Sequence, residues 1–418
     1  MSRRPTGRTI ISIVLAHLAA CSGGEPNAGA PAAGGLRSGP GVDAGERVLQ
    51  LGCLNDVSGP GAAIGVPYAL GKRVLAAQIN AGGSGLLPEG WTVELVERDH
   101  AYNPQSSVQA YREIRGEVLY LATSFGTPNT LPLLDMLAAD TMVAFPASLS
   151  SEMAKNASTP PIGPSYRLEA ARAMDWAVEQ AGGAEAVKAG IVYQQDDYGK
   201  DGQAGWLNQA ALHGVTITSE QTVAPGQKDM TAVITALKDA GATHVLLTTI
   251  PSATGPILGT AAQLEYAPIW IGSTPSWIDA FFKPDVIPSS VFESFYWVTG
   301  LPYWNEPVPG MNKFMAAWEA HGKDQGEPDF YVMMSYLQGL TGIEAFRRGL
   351  EAGDVSREGF LAALHEITDF TGGGMLQPIS YAASPYVAGT LTRILRPDFT
   401  AGSWTVVAPF AERGGTGD

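Results

Sequence analysis

The residues with the strongest claim to chemistry stand in the stretch LNDVSGPGAAIG, residues 54–65, where Gly59, Gly61 and Gly65 follow an apolar run and precede a helix-compatible segment. A glycine-rich turn between strand and helix can cradle a pyrophosphate, because backbone amides and a helix N-terminus face the anion. That chemistry needs the first glycine at the end of the strand. Here Asn55-Asp56-Val57-Ser58 intervenes, Pro60 removes an amide donor, and the spacing is G-x-G-x-x-x-G. The acids Glu97 and Asp99 also lie well beyond the interval of about 20 residues at which a ribose-binding acid is expected. Other catalytic patterns are weaker still. There is no G-x-S-x-G elbow and no G-x-x-x-x-G-K-[ST] loop, and none of the six histidines is spaced as H-E-x-x-H. Asp196-Asp197 lacks a third oxygen-rich partner and reads as a solvated loop rather than a metal site. The sequence therefore points away from an enzyme, with no metal and no cofactor expected, and toward a loop that lets a ligand approach the backbone closely.

Such a loop must be positioned by a scaffold, and the chain supplies one in alternating elements. Residues 47–54 and 91–97 read as strands around a helix at 67–79; helices at 104–115 and 131–139 alternate with strands at 118–122 and 142–145. The rhythm restarts with Ala170, Ala173, Met174, Ala177, Val178 and Ala181 at helical spacing, stopped by Gly182-Gly183. Strands at 187–193, 215–222, 245–248 and 268–272 then alternate with helices at 201–212, after Asp229, and at 257–264. Asp229 is the expected N-cap of its helix, with Val233, Ile234, Leu237 and Ala240 as the apolar face. The last third breaks the alternation: a strand at 292–299, helices at 311–321, 331–348 and 357–366, and a strand at 386–396. Alternating strands and helices imply an α/β fold with mostly parallel sheets covered on both faces. A chain of 418 residues exceeds the roughly 250 to 300 that one core accommodates, so two lobes are expected.

Composition sets the compartment. Arg3, Arg4 and Arg8 precede the uncharged segment Thr9 to Ala20, which ends in Leu18-Ala19-Ala20-Cys21. A basic start, a short apolar stretch and small residues before the cut describe a secretory signal. The four residues resemble a bacterial lipobox, which implies cleavage before Cys21 and lipidation of its thiol. Removal of residues 1–20, with three arginines and no acid, takes the net charge from −15 to −18. An acidic surface of this kind repels phosphate backbones, so nucleic acid is not an expected partner. Cys53, the other cysteine, lies in the apolar run VLQLGCL and reads as a small buried side chain. Residues 21–46, rich in Gly, Ala and Pro, read as a flexible tether.

Hydroxyl-bearing, Gly and Tyr residues recur where strands end: Ser58; Ser124, Phe125, Gly126 and Thr127; Ser148 and Ser150; Tyr198; Ile250, Pro251 and Ser252; and Ser273 and Thr274. In open α/β sheets ligands bind outside the carboxyl ends of strands, so these are the loops that can converge on one. Trp206, Trp270, Trp297 and Trp318 read as core, while Trp277 and Trp304 sit in loop-like segments from which either could reach a cleft.

SGPGAAIG, TSFGTPNTLPLLDMLAADTMVAFPAS, IGPSYRLEA and GIVYQQDDYGKDGQAG, in that order, resemble the branched-chain-amino-acid-type substrate-binding proteins of bacterial ABC importers, from about Val48 to Trp404. The resemblance implies the type I periplasmic binding protein fold: lobe 1 from 47–165 plus 299–373, lobe 2 from 166–298 plus 374–411, and a multi-crossing hinge. It further implies a monomer, extracytoplasmic and periplasmic, that closes on a small molecule and delivers it to an importer permease. Ile64 matches a position that packs on the ligand, residues 124–127 with Ser148 and Ser150 match segments that hold a carboxylate, and Tyr198 with residues 250–252 matches the lobe 2 face. One departure matters. The family usually places an acid after the strand at 268–272 to pair with an amino acid's ammonium, and here Ser273 and Thr274 stand there. An uncompensated buried ammonium is costly, so the ligand is expected to lack one unless Asp56 or Asp197 supplies the charge: a carboxylate, an amide, or a neutral apolar or aromatic compound. A sensor of the same fold signalling to a regulator or kinase, and an enzyme on a two-lobed scaffold, are the alternatives left open.

Overall fold

The computed structural model describes residues 35–414. The signal segment, Cys21 and most of the expected tether lie outside the described residues. The first strands are β1 (Arg37–Ser38), β2 (Val42–Asp43), β3 (Val48–Asn55), β4 (Thr92–Asp99), β5 (Leu121–Phe125) and β6 (Ala144–Ala147). β3 is flanked by parallel β4 and β5, β6 extends the sheet beyond β5, and β2 pairs antiparallel with the start of β3.

The expected tether is thus corrected at its C-terminal end. Arg37 N–H donates to Gly353 O at 2.9 Å, its guanidinium meets Asp354 at 3.1 Å, and Gln50 N–H donates to Gly41 O at 2.7 Å. Gly41, at φ 79°, lies against the Val118–Leu119 backbone, where a Cβ would come within 2.0 Å of Leu119 N. Its glycine serves close packing rather than looseness.

The second sheet contains β7 (Lys188–Gln194), β8 (Thr216–Val223), β9 (His244–Thr248), β10 (Ile269–Gly272) and β11 (Phe295–Thr299). After β12 (Asp354–Val355), which pairs with β1, the chain returns to add β13 (Thr392–Asp398) and β14 (Ser403–Ala411), giving the order β14-β13-β11-β10-β9-β7-β8. β7 to β11 run parallel, and β13 and β14 close the edge antiparallel. Every residue of β5 (LATSF) and β9 (HVLLT) is buried, as parallel strands covered on both faces require.

Helices follow their punctuation. Ser165 caps Tyr166–Ala181 by accepting from Leu168 N–H, and Gly182 ends it at φ 78°. Asp196 caps Asp197–His213, which starts earlier than its apolar pattern suggests. Asp229 does accept from Thr231 N–H at 2.9 Å, but Met230 occupies the cap position of Thr231–Asp239. The long helix Phe330–Ala352 lies along Ala62–Asn80 in the first lobe, with Gly71 admitting the Val332 carbonyl and Gly339 admitting Leu75. Two expected strands begin late. Residues 289–292 form a helical turn before β11, and 367–391 run irregularly, with the bridges Phe370–Ile379 and Ser380–Val387, before β13.

Candidate functional site

The loop after β3 folds on itself. The Asp56 carboxylate accepts from Gly59 N–H at 2.6 Å and Gly61 N–H at 2.8 Å. A Cβ on Gly65 would stand 1.7 Å from Asp56 O, and one on Gly59 would stand 2.4 Å from the Ala101 backbone. The glycines therefore admit neighbouring backbone, and the amides that could have faced a phosphate are spent on Asp56. Burial raises the Asp56 carboxyl, partly offset by those amides. Ser58 turns outward, donating to Asp99 at 2.5 Å. Ile64, at the start of Ala62–Asn80, turns inward.

Ile64 joins a cavity, partly open to solvent, between the two lobes. Of the residues expected at a cleft, Ile64, Phe125, Gly126, Thr127, Tyr198, Ile250 and Thr274 line it. Gly126, at φ 86°, turns the chain out of β5; a Cβ there would meet Asn129 Nδ2 at 2.8 Å and the Tyr102 ring at 2.9 Å. Thr127 Oγ1 and Ser148 Oγ lie 2.7 Å apart. One hydroxyl donates to the other, and Ser148 also bonds the Tyr166 phenol.

The remaining candidates stand behind this surface or away from it. Ser124 bonds Thr130 at 2.8 Å, and Ser150 caps the turn Ser151–Ala154. Pro251 opens helix Pro251–Gln263, whose start also carries Ser252, with its Oγ buried and unpartnered. Ser273 bonds the Tyr198 hydroxyl at 2.8 Å. None of Ser124, Ser150, Pro251, Ser252 and Ser273 contributes a side chain to the cavity wall.

The wall contains residues that strand-end reasoning missed: Tyr68, Tyr102, Ala147, Leu149, Tyr166, Pro275, Tyr331 and Met334. With Tyr198 this makes five tyrosines. Tyr102 sits at φ 59° in the turn after β4, a strand end whose composition lacked the Ser or Gly signature. Tyr68, Tyr166, Tyr331 and Met334 come from helices, where a cleft-facing residue has the same apolar spacing as a core residue. Tyr68 and Tyr102 pack edge-on to Phe125, and Tyr166 meets Tyr198 edge-on at 4.7 Å. Burial holds the phenols well above their usual range, so they remain donors. Tyr198 donates within the protein, to Thr249 O at 3.3 Å or Ser273, and Tyr331 donates to the carbonyls of Thr274 and Trp277 at 2.8 and 2.9 Å. The Tyr68 hydroxyl is buried without a partner.

No charged side chain lines the cavity among the described residues. Asp197 is exposed and pairs with Lys200 at 3.8 Å. Asp196 lies one bond behind the wall, accepting from Tyr102 at 3.3 Å and from Gln194. Glu169, fully buried, accepts from Thr274 N–H at 2.9 Å and Thr274 Oγ1 at 2.5 Å, and burial pushes its carboxyl up to about 8. Trp277 is enclosed in an aromatic cluster and Trp304 donates to Asp279 at 3.2 Å; neither reaches the cavity. Cys53 is buried, its thiol pushed up to about 12, which makes it inert. Hydrogen bonds cross the cleft from Tyr102 to Asp196, from Tyr331 to Thr274 and Trp277, and from Ser151 to Asp201 at 2.5 and 2.9 Å. The lobes are closed.

Solved structures share this architecture. A fatty acid ABC transporter substrate-binding protein from Thermomonospora curvata superposes with a TM-score of 0.81 at 23% identity, covering 90% of this chain and 95% of that one. A branched chain amino acid ABC transporter protein from Thermus thermophilus with bound valine gives 0.77 at 20% identity, over 88% and 97%. A solute binding protein of an ABC transporter from R. palustris, in complex with 4-hydroxybenzoate, gives 0.70 at 17% identity, over 88% and 98%. At these identities the likeness shows the fold. No curated protein matches the chain. The periplasmic binding protein family model matches residues 48–391, most of the chain's length, and with the two-lobed fold and the cavity between the lobes this establishes that the chain belongs to the periplasmic binding protein family.

Proposed function

We propose that this protein is an extracytoplasmic, lipid-anchored receptor that closes around a small molecule with an apolar or aromatic body and no ammonium group, and delivers it to the permease of an ABC importer. The observation that carries the reading is the cavity wall: five tyrosine rings and aliphatic side chains, no charge, and a buried hydroxyl donor, Tyr68, with no acceptor inside the protein. Buried donors want acceptors, so a carboxylate or carbonyl end suits this wall and an ammonium does not. The alternative acids that could have served an ammonium, Asp56 and Asp197, are engaged elsewhere. Two of the similar structures, the fatty acid transporter protein and the 4-hydroxybenzoate complex, are of this chemical kind, while a third holds valine.

The ligand contacts are Ile64, Phe125, Gly126, Thr127, Tyr198, Ile250 and Thr274, joined by the tyrosines. The moving bodies are 47–165 with 299–373 and 166–298 with 374–411. Leu18-Ala19-Ala20-Cys21 supports lipidation at Cys21, and the protein acts as a monomer. Thermal unfolding of the full chain with 4-hydroxybenzoate, hexanoate, hexanamide, valine and NAD tests the reading. A ligand at about 100 times its Kd adds about 2.7 kcal/mol. Stabilisation by an acid or amide is expected. Stabilisation by valine or NAD alone overturns the ligand class.

A further inference from the structure

Behind the cavity, on the lobe 1 side, lies a buried lysine that the binding role does not yet use. Lys72 is 2% exposed, one helical turn beyond Tyr68 on Ala62–Asn80. Its ammonium donates to Ser335 O at 2.6 Å, Gln338 Oε1 at 3.1 Å and Ser335 Oγ at 3.3 Å. Three acceptors match the three N–H bonds of the charged form. None is a carboxylate. Gln338 in turn donates to Pro146 O at 2.8 Å, next to Ala147 of the cavity wall.

The other titratable groups around Lys72 leave its charge uncompensated. Cys53 from β3 stays a neutral thiol, and the phenols of Tyr68 and of Tyr120, before β5, stay protonated because burial raises them. The helix Phe330–Ala352 contributes only uncharged Ser335 and Gln338. Glu97 of β4 and Arg73 pair with each other at 3.0 Å on the more exposed side. Burial lowers the Lys72 ammonium to about 7. A lysine that only filled space here would be replaced by an apolar side chain at little cost.

The cavity offers what this cation lacks. Lys72 Nζ lies 5.1 Å from the centroid of the Tyr68 ring. That ring lines the cavity, and its hydroxyl is the buried donor without a partner. An anion accepting from Tyr68 would sit one aromatic ring away from Lys72, in surroundings of low polarity. Resting on the binding role proposed above, we infer that Lys72 is the counter-charge of the site, selecting a monocarboxylate over its neutral isostere through Tyr68. Lys72 is a positioning residue: it acts across Tyr68 without touching the ligand.

Two unit charges separated by a ring's length at an effective dielectric near 20 favour the anion by on the order of tenfold. The preference must follow the lysine's charge. Below about pH 7 the free protein already carries the cation, so acid binding is full and flat. Above it, the acid must draw a proton onto Lys72, and its affinity declines until the cation is lost in the complex as well.

Calorimetry on the full chain with benzoate against benzamide and hexanoate against hexanamide, from pH 6 to pH 9 in phosphate and in Tris, reads this directly. The expected result has three parts: about tenfold tighter binding of the acid at pH 6, a decline toward parity by pH 9 with the amide flat, and fractional proton uptake with the acid near pH 8. Lys72→Met should abolish preference and uptake while keeping the amide's affinity, and the wild-type profiles stand without the variant should it fail to fold. Amides binding as tightly as acids at every pH, or an acid preference without proton uptake, would overturn the inference while leaving the binding role intact. Binding of neither class would overturn both.

Discussion

The two walls of the cleft are built from the same residue types but differ in what is left unsatisfied. On the lobe 2 side, Tyr198 donates to Ser273 or Thr249, and Thr274 holds both oxygens of Glu169. On the lobe 1 side, Tyr102 and Tyr331 donate across the cleft, but Tyr68 has no partner and Lys72 stands uncompensated behind it. A wall whose polar groups are already satisfied contributes shape, while one with open donors contributes recognition. The difference implies that lobe 1 holds the polar end of the ligand and lobe 2 closes on its body.

The strongest way to break that comparison is to fill the turn that shapes the lobe 1 wall. Gly126→Val places a branched side chain at φ 86° and against the Tyr102 ring, so strain and displacement together should cost acid binding about 100-fold or more. Near-native affinity, measured by calorimetry with benzoate or hexanoate, would show that the turn does not shape the site.

A paired substitution sharpens the contrast. Tyr68→Phe removes a hydroxyl with no partner in the protein, so acid affinity should fall about tenfold with little change in stability. Tyr198→Phe should do the reverse: it strands Ser273, costing about 1 kcal/mol of stability with less than threefold loss of affinity. Equal affinity losses from the two variants would erase the asymmetry.

A further effect concerns pH and stability. Burial raises Glu169 from its usual 4.5 to about 8, so between those values the folded chain holds a proton that the unfolded chain has released, and stability falls as pH rises. Burial lowers Lys72 from 10.5 to about 7, so between about 7 and 10.5 its contribution has the opposite sign and stability rises with pH. Glu169→Gln, which can still accept from Thr274 N–H, should therefore flatten the decline between pH 5 and pH 8 by on the order of 2 kcal/mol, read from urea midpoints. An unchanged slope would show that Glu169 ionises freely in the folded state.

Much of this was legible in the sequence, for physical reasons. Parallel strands buried on both faces are continuous apolar runs, and the loops at their carboxyl ends are the ones that converge, which is why Phe125, Gly126, Thr127 and Thr274 could be named. The same signals misled elsewhere. Val118 to Tyr120 are apolar because they are buried on the approach to β5, which starts only at Leu121. Gly and Pro around residue 41 marked close packing, not freedom. Hydroxyls at strand ends were as often turn chemistry, as Ser124 and Ser150 illustrate, and Ser58 spends its hydroxyl on Asp99. Tyr68, Tyr331 and Lys72 stayed hidden because a single helix gives no sign of which buried side chain faces or backs a cavity between the lobes.

The most direct test of the cleft's chemistry compares leucine with 4-methylpentanoate, the same molecule without its ammonium, by calorimetry on the full chain at pH 6. Neither wall holds an acid for the ammonium, so 4-methylpentanoate should bind at least tenfold more tightly. Tighter binding of leucine would contradict the account, showing that an acid, Asp196 or Glu169, turns toward the ligand when it binds.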